Sequence, residues 1–378
     1  MLLKPTADQQ SLRETTARFL AATVPPGRLR ELHRDDAGFD RAWWERGAEL
    51  GWTSLLVPEA GGGGSVSGRP VVDATLLAHE FGFHAAPGPL LPCNLVAAAL
   101  GAARPSHPEV LKGLLSGSVV GSWCLTEARP DGARPEGIAT TVTLEGGELV
   151  VEGSKRPVES AAQAQWLLVT GRTGSGLTQV LVPAATPGVR LEPMTSVDLT
   201  RRFWAARFEG VRVPVEMAVG PVGGAAPQVE RQLRCGLVLL AAESVGAMQR
   251  AFETTLQWSF DRYTFGRPLA SYQELKHRFA DMKTWLETGH ALADAAAAAL
   301  DEDDPGAAEL VSAAAAFIGE YGAELVQDCV QIHGGIGLTY EHDLHLLLRR
   351  VTLNRTVLGT PAQHRRRIAA LLAEEGGS

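Results

Sequence analysis

The chain has 378 residues, enough for two or three domains with cores of their own. Its 45% hydrophobic and 21% charged content is that of an ordinary soluble globular protein. A formal net charge of −8 argues against a nucleic-acid partner, which demands a basic face, and no apolar run approaches the ~20 residues of a membrane span.

Thirty of the 35 basic residues are arginine, so anion contacts are expected to be guanidinium forks rather than ammonium points. The cysteines Cys93, Cys124, Cys235 and Cys329 are widely spaced and form no C-x-x-C pair. That pattern fits buried free thiols in a reducing compartment. The N-terminal twenty residues lack a basic segment followed by an apolar core, so no signal peptide is expected and the expected compartment is the cytoplasm.

In chain order, Thr6–Ala22 carries Leu12, Ala17, Phe19 and Leu20 at helical spacing. A second helix is predicted over Phe39–Leu50, followed by a turn, an extended apolar piece within GWTSLLVPEA, and the glycine run Gly61–Gly64. Four consecutive glycines cannot hold a helix. With no Lys-Ser/Thr after them they read as a mobile connection rather than a phosphate loop. VVDATLLAHEFGFH and CNLVAAALGAA read as further amphipathic or buried helices.

Near Ser118 the pattern changes to short runs rich in Val, Thr and aromatics, from SVVGSWCLTEA to RFWAARFEGVRVP, punctuated by GG and PDG turn signals. A β-barrel or sandwich-like domain of about 100 residues is expected. From Val229 a long, largely apolar helix resumes, suited to a bundle interior. The stretches Gly289–Leu300 and Ala307–Val330 continue the bundle, separated by the acidic turn Asp301–Gly306. The expected fold is α+β and multidomain: a helical domain over 1–117, a middle β-barrel domain over 118–220 and a C-terminal four-helix-bundle domain over 221–378. This is an interrupted all-α protein, not a doubly wound sheet.

Two segments carry chemistry. Arg262-Tyr263-Thr264-Phe265-Gly266-Arg267-Pro268, with Gln273 beyond it, places a guanidinium and a hydroxyl at a turn after a long helix. By itself this is either a grip on a pyrophosphate or a helix corner with solvent arginines. Gln331-Ile332-His333-Gly334-Gly335-Ile336-Gly337 lets the backbone approach a flat or anionic ligand. It lacks the preceding strand of a dinucleotide fingerprint.

In this order, about 70 residues apart in a helical domain, the two segments resemble those of acyl-CoA dehydrogenases. The resemblance covers essentially the whole chain, including ELGWTSLLVPEAGG, WCLTE, FEGVRVP, QELKHRFADMK and EHDLHLLLRR. It implies the three-domain fold just deduced, an acyl-thioester substrate, FAD lying across a subunit interface, and a dimer or dimer of dimers. It also implies that Arg262, Thr264, Phe265, Gln273, Gln331, Gly334 and Gly335 hold the ADP half of the FAD seated on a neighbouring subunit. The implied reaction removes the α-proton with a carboxylate while hydride leaves Cβ, at a site that hydrogen-bonds the thioester carbonyl. The base should be a buried Glu of raised pKa.

The match breaks in an orderly way. The usual Glu-Gly-Thr segment reads Leu358-Gly359-Thr360, and a leucine takes no proton. The alternative base position, on the first long helix of the C-domain, is Gly236. The loop that cradles flavin becomes Thr126-Glu127-Ala128-Arg129-Pro130-Asp131-Gly132-Ala133, without its serine. The Trp-Ile-Thr strand against the isoalloxazine becomes Pro157-Val158-Glu159, losing the indole face and a ladder donor.

Intact partner-reaching segments beside a degraded base and cradle imply a base-lacking subunit of a heteromeric (α2β2) acyl-CoA dehydrogenase, clamping the ADP part of FAD for a second dehydrogenase chain. Two alternatives stand. One is a homomeric dehydrogenase or oxidase with a relocated base, for which Glu243 is the candidate, mid-helix in an apolar run; otherwise Glu243 bonds a neighbouring helix or an arginine. The other is a flavin-free assembly or binding protein. His342 and His345 lack a third ligand at metal spacing, and Arg365–Arg367 reads as a solvent face or a contact to an acidic subunit.

Overall fold

A computed structural model describes residues 4–35, 37–103, 107–128 and 134–376. Thr6 opens α1 (Ala7–Thr23) with a reciprocal cap, its hydroxyl accepting from the Gln9 amide while the Gln9 side chain accepts from the Thr6 amide. Prolines in the first turn start α2 (Pro26–Leu32), α4 (Pro70–Phe83) and α6 (Pro108–Leu115). Asp40 caps α3 (Arg41–Glu49) through the Trp43 amide. The helices α2 and α6 escape the sequence pattern because seven or eight residues are too few to establish a period. The core of this layer is aromatic: Trp52 meets Phe81 edge-on at 4.8 Å and Trp43 at 5.2 Å.

Two expectations change here. The apolar piece after Gly51 is a succession of turns, not an extended segment. The glycine run packs rather than dangles. A Cβ on Gly63 would lie 2.4 Å from the Val57 carbonyl oxygen, and the Gly64 amide bonds Ser54 O at 3.2 Å. Those glycines serve close backbone approach, a need that composition alone does not distinguish from mobility.

After α5 (Leu90–Ala102) the sheet begins. Its strands are β1 (Gly121–Cys124), β2 (Thr141–Glu145), β3 (Glu148–Glu159), β4 (Trp166–Thr173), β5 (Gly176–Pro183), β6 (Val189–Met194) and β7 (Phe203–Pro214). Their order is β1-β4-β2-β3-β7-β6, with β5 on the other edge of β4. β1 pairs with the first half of β4 and β2 touches its end, both in parallel, so one edge serves two strands and the sheet curls. Gly146 and Gly147, both at positive φ, form the two-residue hairpin between β2 and β3. Pro157 falls where the β3–β7 register shifts, a place that needs no ladder donor from it. The PDG signal (Pro130–Gly132) and the cradle-loop residues Arg129–Ala133 lie outside the described residues.

The C-terminal helices are α7 (Ala226–Asp261), α8 (Gln273–Asp301), α9 (Ala307–His333), α10 (Leu344–Val357) and α11 (Pro361–Gly376). A two-stranded hairpin of β8 (Tyr263–Thr264) and β9 (Arg267–Pro268) separates α7 from α8. Asp301, closing α8, accepts the Val71 and Val72 amides at 2.9 Å each and so caps α4 of the first layer. α4 and α7 cross at backbone contact. A Cβ on Gly82 would lie 1.7 Å from Glu243 O, and one on Gly246 would lie 1.9 Å from His79 O. No helix among the described residues is long and apolar enough to cross a membrane.

Arg350, fully buried on α10, joins all three layers. Its guanidinium donates to Ala86 O of the first layer at 2.9 Å, to Asp198 Oδ2 of the β-layer at 2.5 Å, to the Thr200 hydroxyl, and to Glu243 Oε1 of α7 at 2.6 Å. Removing it leaves two carboxylates buried with a lost partner. Arg350→Met is therefore expected to cost on the order of 3–5 kcal/mol, read as a lower urea midpoint. A midpoint equal to that of the unmodified chain would show that this arginine does not hold the layers together.

Candidate functional site

The two positions at which the resemblance seeks a base converge in space. Leu358 follows α10 and is 3% exposed. A Cβ added to Gly236 on α7 would lie 3.0 Å from Leu358 Cδ1, 3.3 Å from Leu95 Cδ1 and 3.7 Å from Leu91 Cδ1. Sequence positions 122 residues apart thus describe one spot, and that spot is leucine packing. Neither position offers a group that can accept a proton.

Glu243 lies two turns further along α7, and both of its oxygens are engaged. Oε1 accepts from Arg350, while Oε2 accepts from Asn354 Nδ2 at 2.9 Å and Arg201 Nη1 at 3.4 Å. Arg201 in turn holds Glu159, at the end of β3, in a two-pronged pair: Nε to Oε1 at 2.7 Å and Nη2 to Oε2. Arg201 Nη1 also donates to Asn354 Oδ1 at 2.9 Å.

Glu159, Arg201, Glu243, Arg350 and Asp198 form one buried ionic array, from 0% exposure at Arg350 to 9% at Glu243. Burial pushes the Glu159 carboxyl above its ordinary range, against the pull of Arg201. Burial acts the same way on Asp198, but Arg350 and the Thr200 amide outweigh it and hold that carboxyl low. Burial disfavours charge on Arg201 and Arg350 as well, yet their carboxylate partners raise both. Where Glu159, Arg201 and Glu243 meet Ala78 and Phe81 the free volume is ≈ 20 Å³, room for about one water. Larger cavities lie elsewhere, ≈ 340 Å³ between α1, α4 and α10, and ≈ 420 Å³ between the 55–71 segment, α5 and the start of α7.

The second set of expected residues lies at the surface. Phe265 and Gly266, with φ of 52° and 79°, turn the β8–β9 hairpin and leave the Phe265 ring 94% exposed. Tyr272 OH donates to Thr264 O at 2.8 Å, and the Arg267 guanidinium lies 3.9 Å over the Tyr272 ring, which stiffens the hairpin. Arg262 is exposed and stands over the Trp258 ring at 6.0 Å. Trp258 stacks on His333 at 5.1 Å, the last residue of α9, and Gly334 and Gly335 follow it. The two segments are therefore joined through Trp258 and His333. Gln331 is exposed, and Cβ atoms on Gly334 or Gly335 would meet nothing within 4 Å. Gln273 starts α8 and bonds His277 at 2.9 Å.

Other candidates resolve into packing. His342 precedes α10 and packs edge-on against His333 at 4.6 Å, whereas His345 stacks on Tyr340 at 4.9 Å, so the two rings take different neighbours. The four cysteines are buried and free, with burial pushing the Cys93, Cys124 and Cys329 thiols up to about 12 and Cys235 to about 11. No signal in the amino-acid order singles out Arg201, Asp198, Arg350 or Asn354. Arg201 and Arg350 each stand beside another arginine, and adjacency does not reveal which one turns inward.

Two family models match the chain, the N-terminal domain of acyl-CoA dehydrogenases over residues 6–103 and their C-terminal domain over 226–373. The acyl-CoA dehydrogenase IpdE2 of Mycobacterium tuberculosis is 29% identical, over 97% of this chain and 98% of its own length. Among solved structures, a variant of the Tcur3481-Tcur3483 steroid ACAD superposes with a TM-score of 0.88 at 26% identity, covering 98% of this chain and 99% of that one. Butyryl-CoA dehydrogenase of Megasphaera elsdenii shares the fold, with a TM-score of 0.88 at 23% identity over 99% and 100% of the two chains. With its layers, its paired surface segments and these matches at both ends, the chain belongs to the acyl-CoA dehydrogenase family, FAD-dependent oxidoreductases acting on CH–CH bonds.

Proposed function

We propose that this chain is the base-lacking subunit of a heteromeric acyl-CoA dehydrogenase, gripping the ADP end of FAD seated on a second dehydrogenase chain. The observation that carries this is the contrast between the two sites. Leu358 and Gly236 meet inside a leucine cluster, while Arg262, Gln331, Gly334 and Gly335 face outward around the Trp258–His333 stack.

When bound, FAD would supply the hydride acceptor for Cβ of the acyl thioester, with Arg262, Gln331, Gly334 and Gly335 of this chain holding its ADP end. This chain's part is positional. Arg262 supplies a charge-assisted donor to a phosphate, and the open backbone at Gly334 and Gly335 admits a flat or anionic group. Trp258 Nε1 and His333 Nε2, both buried without a hydrogen-bond partner, lie between those residues and fit a surface completed by a polar ligand. The exposed Phe265, Tyr263, Ile336 and Leu338 beside them suit a partner subunit. Removal of the α-proton then falls to the second chain, because nothing at Leu358 or Gly236 takes it. The double designation of the steroid ACAD relative supports a two-chain assembly and makes a steroid-borne acyl thioester the first substrate to try.

FAD counted against chains tests this. Purified alone, the chain is expected to carry little FAD; co-purified with its dehydrogenase partner, the pair is expected to carry one FAD per two chains. One FAD per chain in the isolated protein would overturn the proposal. Within the heteromer, Arg262→Ala is expected to weaken FAD retention by on the order of 1.5–3 kcal/mol, measured by equilibrium dialysis. Restoring a carboxylate to the core should not restore a base. Leu358→Glu places it among Leu91, Leu95 and Gly236 and is expected to lower stability by on the order of 3 kcal/mol in urea unfolding, without turnover by the isolated chain.

A further inference from the structure

Building on the clamp-subunit reading, we propose that the Glu159–Arg201 pair, tied through Glu243, Asn354 and Arg350 to Asp198, is an internal substitute for a flavin ring in this chain. It joins the β-layer to the helices where a bound ring would otherwise lie, so that the folded subunit neither needs nor accepts the ring there.

Four observations converge on this. Glu159 stands at the strand position that the family resemblance gives to isoalloxazine packing, and its carboxylate is closed off by both prongs of Arg201. The array links β3 and the segment before β7 to α7 and α10, and so closes the β-layer onto the helices beside Glu159. The free volume at the junction of Glu159, Arg201 and Glu243 is ≈ 20 Å³, against the several hundred Å³ of a cofactor pocket. Among the described residues, none of the five charged side chains has a buried polar atom left without a partner. Nothing in the array is left over to meet the polar edge of a ring.

Chemistry explains why the substitute is ionic. A cleft that loses its ligand must either collapse or be refilled, since an unfilled void forfeits contacts on every wall. Glu159 brings a charge into that cleft, and a buried charge demands a paired, hydrogen-bonded partner. Arg201 meets the demand and shares its remaining donors with Glu243 and Asn354. The residues that displace the ring are then as interlocked as the ring would have been.

The test is a double-mutant cycle in the isolated chain, combined with FAD counts in the heteromer. Arg201→Met and Glu159→Gln are each expected to lower the Tm by several degrees, and the double variant by less than their sum, because it leaves neither charge unpaired. FAD per heteromer is expected to stay at the unmodified value in both variants, whereas Arg262→Ala lowers it. If Arg201→Met fails to fold, Glu159→Gln, which preserves shape and an acceptor, is read in its place. An unchanged Tm, or strictly additive losses, would overturn the substitute and leave the clamp untouched. Loss of FAD on changing Arg201 or Glu159 would also overturn it, by showing that the array touches a flavin. Failure of the clamp has a separate signature, Arg262→Ala without effect on FAD while the Tm cycle still shows coupling.

Discussion

A guanidinium that water cannot reach must find its hydrogen bonds in the protein, and Arg350 finds them in three places at once. Its partners are a carbonyl after α4, a carboxylate and a hydroxyl before β7, and Glu243 on α7. Because an unpaired buried charge costs several kcal/mol, these elements keep their relative placement or the fold loses more than any single contact supplies. The spacing of the three layers, and with it the closure of the space between them, depends on this arginine and on Arg201 beside it.

The crossing of α4 and α7 works toward the same end by steric means. Gly82 and Gly246 let the two backbones touch, which no side chain would permit. That contact fixes the level of Glu243 on α7 within reach of Arg350 and Arg201. Capping of α4 by Asp301, the last residue of α8, anchors the far end of the same helix. Glycine contact, capping carboxylate and ionic array are different interactions, yet each fastens the first layer to the C-terminal one.

Interior and surface are specialised in opposite directions. Inside, Leu358 and Gly236 meet in aliphatic packing, and the buried charges are spent on one another. Outside, a stiff hairpin and an open glycine turn present arginine, aromatic and bare backbone around the Trp258–His333 stack.

Much of this was legible in the amino-acid order. Helical periodicity and the abrupt shift to β-rich runs near Ser118 depend on residues close in sequence, where spacing translates directly into a shared face; the Arg262 and Gln331 segments, about 70 residues apart, pair by resemblance in the sequence and through the Trp258–His333 stack in the fold. The leucine at position 358 and the glycine at 236 could each be read singly as the absence of a base. That they are the same place was decided only by folding, when α10 returned alongside α7. The glycines after Gly61 looked mobile because sequence does not show what a backbone will press against. The ionic array was invisible for a related reason. Charged residues are ordinarily solvated, and Arg201 and Arg350 differ from their neighbours Arg202 and Arg349 only in direction. Sequence alone therefore determined the layers and the two surface segments, while tertiary structure decided which charges are buried, since burial depends on partners 42 or more residues away.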